Sequence, residues 1–305
     1  MNGPLSSRRI NAIGVTIPVH NEEQRLGRAL ESLNHAFAEF ADSGVVLQVA
    51  IVLDACRDKS EAVVCEWRRG VEQRGEFRVD TLECAFENVG CARALGCDHL
   101  LRAFKGVPLS TIWLANSDAD SRVPRRWLAA QINQYMKGAD AWVGRVSVSD
   151  WHRQRKETAL TWQREYESER RPIHGANLGF AANHYLAAGG FRAVTTGEDQ
   201  AIVEALLVDG AAVHFDSVTR VSTSSRRQAR APEGFSTALR FIDARATGNV
   251  ARSRIDAGYD EIYVQQIGSD VDGFFDLYSS RVLPVLLSER SRGVGSPGVW
   301  RRQTR

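Results

Sequence analysis

The sequence predicts an α/β protein built on a mainly parallel sheet covered by helices on both faces. Two observations carry this. Short β-branched runs alternate with amphipathic segments through the first half, and 43% apolar with 25% charged residues over 305 positions is the composition of a chain able to bury a full core. Strands that alternate with helices are joined by crossovers, and crossovers make parallel strands.

The first strand is AIGVTIPV at 12–19, apolar on both faces as a central strand must be. A helix follows, with Leu26, Leu30, Leu33, Phe37 and Phe40 at helical spacing and Asn21 and Gln24 spaced as a capping box. Further strands are predicted at 45–53, 77–82, 111–116 and 141–148, with helices between them. The second half reads as a charged helical segment at 150–171, then HGANLGF, a short helix, GGFRAVTTGED, another helix and a strand within 211–223. These elements make a domain over 1–235, followed by a helical extension over 236–290 and a polar tail over 291–305.

A formal net charge of +2 argues for no nucleic-acid or membrane partner. Only four of the 39 basic residues are lysine, so a single arginine carries little weight as a signal. Cys56, Cys65, Cys84, Cys91 and Cys97 show neither CxxC pairing nor zinc-ligand spacing, and are expected as reduced thiols. No window approaches the ~20 apolar residues of a membrane span, and a cytoplasmic or at most peripheral protein is expected.

In a parallel sheet of this kind, ligands sit beyond the carboxyl ends of the strands. The residues there are unusually polar: HNEE after the first strand, DACRD after the second, a loop with Asn88 and Gly90 after the third, SDAD after the fourth. Asp118 and Asp120, two apart at a strand end, suit a hard divalent cation that neutralises a diphosphate, although acids are also common in turns. Asp54 stands where it would accept a hydrogen bond from a base N–H or cap a turn. Gly90 lets backbone approach a ligand, and Arg93 reaches a phosphate or sugar or lies on the helix surface.

In this order the motifs resemble the family 2 glycosyltransferases over roughly residues 15–230. Pro18, Val19, Asn21 and Glu22 match the strand that ends in Pro-x-x-Asn-Glu, Asp54 the base-binding acid, Gly90 and Arg93 the helix that carries a glycine and an arginine, and Asp118 with Asp120 the DxD. LDACRD departs from the commoner DDGSxD, keeping Asp54 and Asp58 but lacking the first acid and the glycine, which leaves the nucleotide open. The resemblance implies the GT-A nucleotide-diphospho-sugar transferase fold, with a nucleotide-sugar half at about 12–122 and an acceptor half at about 123–235. It implies Asp118 toward ribose and metal, and Asp120 as a ligand of Mg2+ or Mn2+.

Thr196-Gly197-Glu198-Asp199 matches the family's acidic pair, so Asp199, beside Glu198, takes the place of the catalytic base; Thr196 and Asp199 also fit a helix cap. HGANLGF resembles the acceptor-side segment, with Asn177 as a sugar or acceptor contact or simply part of a glycine-rich turn. Arg226 and Arg227, with Arg230, lie where relatives grip the departing diphosphate, or form an exposed basic loop. His174 and His214 are read either as an additional metal ligand or as structural. Trp151, Trp162 and Tyr166 form an acceptor wall or a packed helix face.

The implied reaction moves a sugar from a nucleotide-sugar donor, uridine being the family's commonest base, to a small-molecule or lipid-linked hydroxyl acceptor. Attack from the far face inverts the anomeric carbon. A retaining GT-A enzyme and a noncatalytic nucleotide-sugar-binding scaffold are the alternatives. A nucleotidyltransferase or a dinucleotide-dependent dehydrogenase would carry a glycine-rich loop after the first strand, which VHNEE is not.

Overall fold

The computed structural model describes residues 8–151, 156–169, 171–194 and 196–225. Arg226, Arg227, Arg230, the extension at 236–290 and the tail at 291–305 lie outside the described residues. The chain divides into two compact units, 1–151 with 166–226 and 152–165 with 227–305. The whole sheet belongs to the first; of the second, the described residues are 156–165.

Among the described residues, seven strands follow in order as β1 (Ala12–Val19), β2 (Val46–Asp54), β3 (Arg78–Cys84), β4 (Ile112–Asn116), β5 (Ala141–Val148), β6 (Leu178–Ala181) and β7 (Val213–Thr223). The helices are α1 (Leu26–Ala38), α2 (Ser60–Arg74), α3 (Val89–Ala103), α4 (Trp127–Met136), α5 (Lys156–Ser168), α6 (Ala182–Ala187) and α7 (Glu198–Val208). The sheet order is β3-β2-β1-β4-β6-β5-β7. Only β6 is antiparallel to its neighbours, β4 and β5, so six strands share one direction.

Even-numbered residues of β1 and β4 face a core shared by α3, α6 and α7, in which Ala12 and Leu114 meet Cys97, Leu100, Tyr185, Ile202 and Leu206. Helices α1 and α4 cover the other face, with α2 beside α1. Glycine makes the close layer contact possible: a Cβ at Gly96 of α3 would lie 2.4 Å from the Thr16 methyl on β1. Burial on this scale explains why β1 and β5 begin and end where their apolar runs do.

Two local expectations are corrected. Asn21 does not cap α1. It has φ 54°, its Oδ1 accepts the Arg57 N–H at 2.7 Å, and the helix begins at Leu26 with no side-chain cap. Thr196 does not occupy the cap position of α7 either; Gly197 does, with φ 78°.

Candidate active site

Because β4 pairs β1 on one side and the chain runs to β2 on the other, the sheet reverses its winding between β1 and β4, and a crevice opens at their carboxyl ends. Pro18 marks its start. Thr16 presents its carbonyl to the Ser117 N–H, so Pro18, two residues on, faces the same side, just past the last β1–β4 pair at Thr16 and Asn116. No ladder bond is lost by the missing N–H there.

The loops after β1 and β2 are bonded to each other. Besides Asn21 with Arg57, the Glu22 N–H donates to Ser60 Oγ (2.8 Å), the Glu23 N–H to Asp58 Oδ2 (2.9 Å) and the Lys59 N–H to Glu23 Oε2 (2.9 Å). His20 Nδ1 donates to the Asp54 carbonyl at 2.6 Å, and Cys56 Sγ donates to the carbonyl of Val19. Glu22 is buried.

Asp54, 4% exposed, accepts from three consecutive amides: Phe86 (2.7 Å) and Glu87 (2.9 Å) on Oδ1, and Asn88 (2.9 Å) on Oδ2. Of its two readings, turn-capping is the one these bonds build. The carboxylate shapes a loop in which Glu87 holds φ 49° and Asn88 caps α3 through the Cys91 N–H. Gly90 is tightly packed, since a Cβ there would meet the Arg192 carbonyl at 2.4 Å.

Arg93 is neither a surface residue nor reaching into the crevice. It is 1% exposed, with Nη2 at 2.5 Å from Asp118 Oδ1 and Nε at 3.4 Å from Glu198 Oε1. Burial works against its charge, yet Asp118 and Glu198 more than offset that and hold its pKa above the ordinary value. The Glu198 carboxyl is shifted upward by its own burial, in spite of Arg93.

The antiparallel course of β6 brings its leading segment to the carboxyl end of β4, with Leu178 opposite Asn116. Thus the Gly175 N–H donates to Asp199 Oδ2 at 2.9 Å, while Asp199 Oδ1 accepts the Gln200 N–H at 2.8 Å. His174 Nε2 is enclosed with no hydrogen-bond partner among the described residues, its ring 5.4 Å from that of Tyr166, and burial lowers its pKa against the opposing pull of Asp199 and Asp118. His214 lies on β7 against Trp142.

Asn177 is corrected. It is fully buried: Oδ1 accepts from Trp127 Nε1 (2.9 Å) and Trp142 Nε1 (3.0 Å), and Nδ2 donates to the carbonyls of Arg145 and Thr219 (both 2.9 Å). An amide with all four positions taken inside the protein touches no acceptor. Tyr166 likewise packs inward, its hydroxyl accepting the Val146 N–H at 2.9 Å. Trp151 follows Asp150, which receives the Ser225 N–H at 2.7 Å, and Trp162 belongs to the second unit.

The DxD turn is held from both sides. Arg122 exchanges two backbone hydrogen bonds with Ser222 of β7 (2.8 and 2.9 Å), and the Val123 N–H donates to Ser32 Oγ of α1 at 3.0 Å. Asp118 and Asp120 are both partly exposed there. Among the described residues no group of three or more His, Cys, Asp or Glu could hold a metal. Two hard carboxylates nevertheless fit Mg2+ or Mn2+, which bind through one or two carboxylates and complete their shell with phosphate oxygens and water. Among the described residues, no helix is long and apolar enough to cross a membrane.

A sheet of this order, with one reversed strand and acids at the switch point, defines the class: a GT-A fold. The family model described as glycosyl transferase family 2 matches residues 14–192, more than half of the chain, and the chain belongs to that family. It is a glycosyltransferase. No curated protein sequence matches it. Among solved structures it is similar to the mannosyltransferase PcManGT from Pyrobaculum calidifontis in complex with GDP-Man and Mn2+, at 17% identity and TM-score 0.52, over 95% of this chain and 77% of that one. It is also similar to S. aureus TarS, at 13% identity and TM-score 0.51, over 83% of this chain and 46% of that one.

Proposed function

We propose that the enzyme transfers a sugar from a nucleoside diphosphate donor, bound over the carboxyl ends of β1 to β4, to a hydroxyl acceptor with inversion, using Asp199 as the base. The observation that carries this reading is the meeting of Asp118 and Glu198, 80 positions apart in sequence, on the single guanidinium of Arg93. It joins the DxD turn and the acidic pair into one site.

Asp120 and Asp118 would hold Mg2+ or Mn2+, which supplies positive charge to the leaving diphosphate. Asp199 sits in the first turn of α7. Each of its oxygens takes one backbone N–H and keeps a lone pair for an acceptor hydroxyl. Two N–H donors, one on α7 and one on the segment before β6, give a proton acceptor that does not wander. Pro18 and Val19 border the nucleotide. Asn21, Glu22 and Asp54 hold the loops that would wrap it.

The family resemblance favours UDP, and the GDP-Man bound in the P. calidifontis structure puts GDP donors on the same footing. A small-molecule or lipid-linked acceptor both fit a chain whose described helices cross no membrane. None of the five cysteines is in a disulfide, which supports a cytoplasmic location.

Titrating the protein with UDP-, GDP- and dTDP-sugars, with and without Mn2+, tests the donor site by thermal shift. A shift with one donor that needs Mn2+ and disappears in Asp120→Ala supports the reading. No shift across the panel contradicts it.

A further inference from the structure

Arg93 has three neighbours that no short-range rule connects. It projects from α3 into a space bounded by the DxD turn, the head of α7 and the segment before β6. Nη2 takes Asp118, Nε takes Glu198, and Nη1 lies 3.5 Å from the Ser117 carbonyl, with the Phe191 ring 5.9 Å away. The surroundings are cut to fit it. A Cβ on Gly175 would stand 2.3 Å from Nη2, and a Cβ on Gly90 would stand 3.1 Å from that of Glu198. A guanidinium removed from water and shared by two carboxylates is held tightly, because either carboxylate alone would leave part of the fork unmatched.

Such a residue has little opportunity to grip a substrate. Its described donors are taken by protein, and it is 1% exposed. Its partners are the consequential ones. Asp118 keeps a side chain 36% exposed on the crevice side while Arg93 holds one oxygen from behind. Glu198 is the residue before Asp199, on the same first helical turn.

We propose that Arg93 is a positioning residue with two ends: it orients Asp118 toward a divalent cation and seats the head of α7, so that one guanidinium sets both cation affinity and the placement of Asp199. This rests on the reading of Asp118 and Asp120 as the cation site. Partners that hold a metal-binding carboxylate change affinity by 10–100-fold when altered. A lysine keeps the charge but cannot span two carboxylates, so Arg93→Lys isolates geometry from charge. Gly175→Ala adds no charge and intrudes on Nη2 from a third segment.

The test is Mn2+ affinity, read from the paramagnetic resonance signal of free Mn2+ in the presence of UDP and of GDP, on wild type and both variants. Hydrogen exchange over 196–201 and circular dichroism complete it. We expect Arg93→Lys to weaken Mn2+ binding about tenfold and to speed exchange at the head of α7, and Gly175→Ala to weaken Mn2+ in the same direction by a smaller factor. If Arg93→Lys does not fold, Gly175→Ala decides. Wild-type Mn2+ affinity in the folded variants, or unchanged exchange at α7 in Arg93→Lys, overturns the proposal while leaving the donor site intact. A wild type that binds no Mn2+ with either nucleotide overturns both readings.

Discussion

The two sides of the crevice are built by different means. On the β1–β3 side, buried and half-buried carboxylates and amides bond to backbone: Asp54 to three consecutive N–H groups, Asn21 to Arg57, Asp58 to Glu23 and Ser60. Elsewhere in the site, buried polar groups bond to distant side chains: Asn177, before β6, to two indoles, and Arg93, on α3, to the carboxylates of Asp118 after β4 and Glu198 at the head of α7. The first kind shapes a loop locally and leaves its face open to a ligand. The second ties separate segments together and fixes where Asp118 and Glu198 stand relative to one another. A donor's nucleotide part needs a moulded surface, whereas the transfer step needs distances held between far-apart residues.

The comparison breaks most visibly at Asn177. Its replacement by Ala leaves two indole N–H groups and two carbonyls buried without partners, and we expect a loss of roughly 4 kcal/mol in urea unfolding. A loss under about 1 kcal/mol would show that this hub is not holding the second side together. Asp54→Ala should cost less, about 3 kcal/mol, because its three amides lie on a loop that can move toward water. Its stronger signature is weakened nucleotide binding, measured by calorimetry. Equal stability losses with intact binding would erase the distinction between moulded loop and tied hub.

The smallest effect is at His174. Burial lowers its folded pKa, so the unfolded chain takes up the proton first as pH falls below about 6.5. Stability from the neutral ring is therefore present above that value and lost as pH falls toward the folded pKa. His174→Asn should flatten the decline in melting temperature between about pH 7 and pH 5. An unchanged profile would assign the acid sensitivity elsewhere.

The same division explains what could be read from the sequence. Strands β1 and β5 and the sheet's parallel character were legible because continuous apolar runs bounded by polar strand ends leave few alternatives. Strand β6 was not: it is four residues, LGFA, in a glycine-rich stretch, and it exists because it pairs with β4 and β5. Placing acids at strand ends located the crevice. The partners of those acids were another matter. The cap expected from Asn21 and Gln24 gives way to a bond 36 positions away, and Arg93 finds Glu198 across 105. Spacing reports neighbours along a helix. It carries no sign of a partner delivered from another layer of the fold, and so Asn177 looked like a ligand contact when it is a packing one.

In the proposed reaction, Asp199 removes the acceptor proton in a single inverting displacement. With the donor identified by titration, the decisive measurement is turnover and product configuration by nuclear magnetic resonance in wild type and Asp199→Asn. We expect an inverted anomeric centre and a drop in kcat of about 10²–10⁴-fold in the variant, with donor affinity retained. A retained configuration, or a variant that turns over at the wild-type rate, would contradict it.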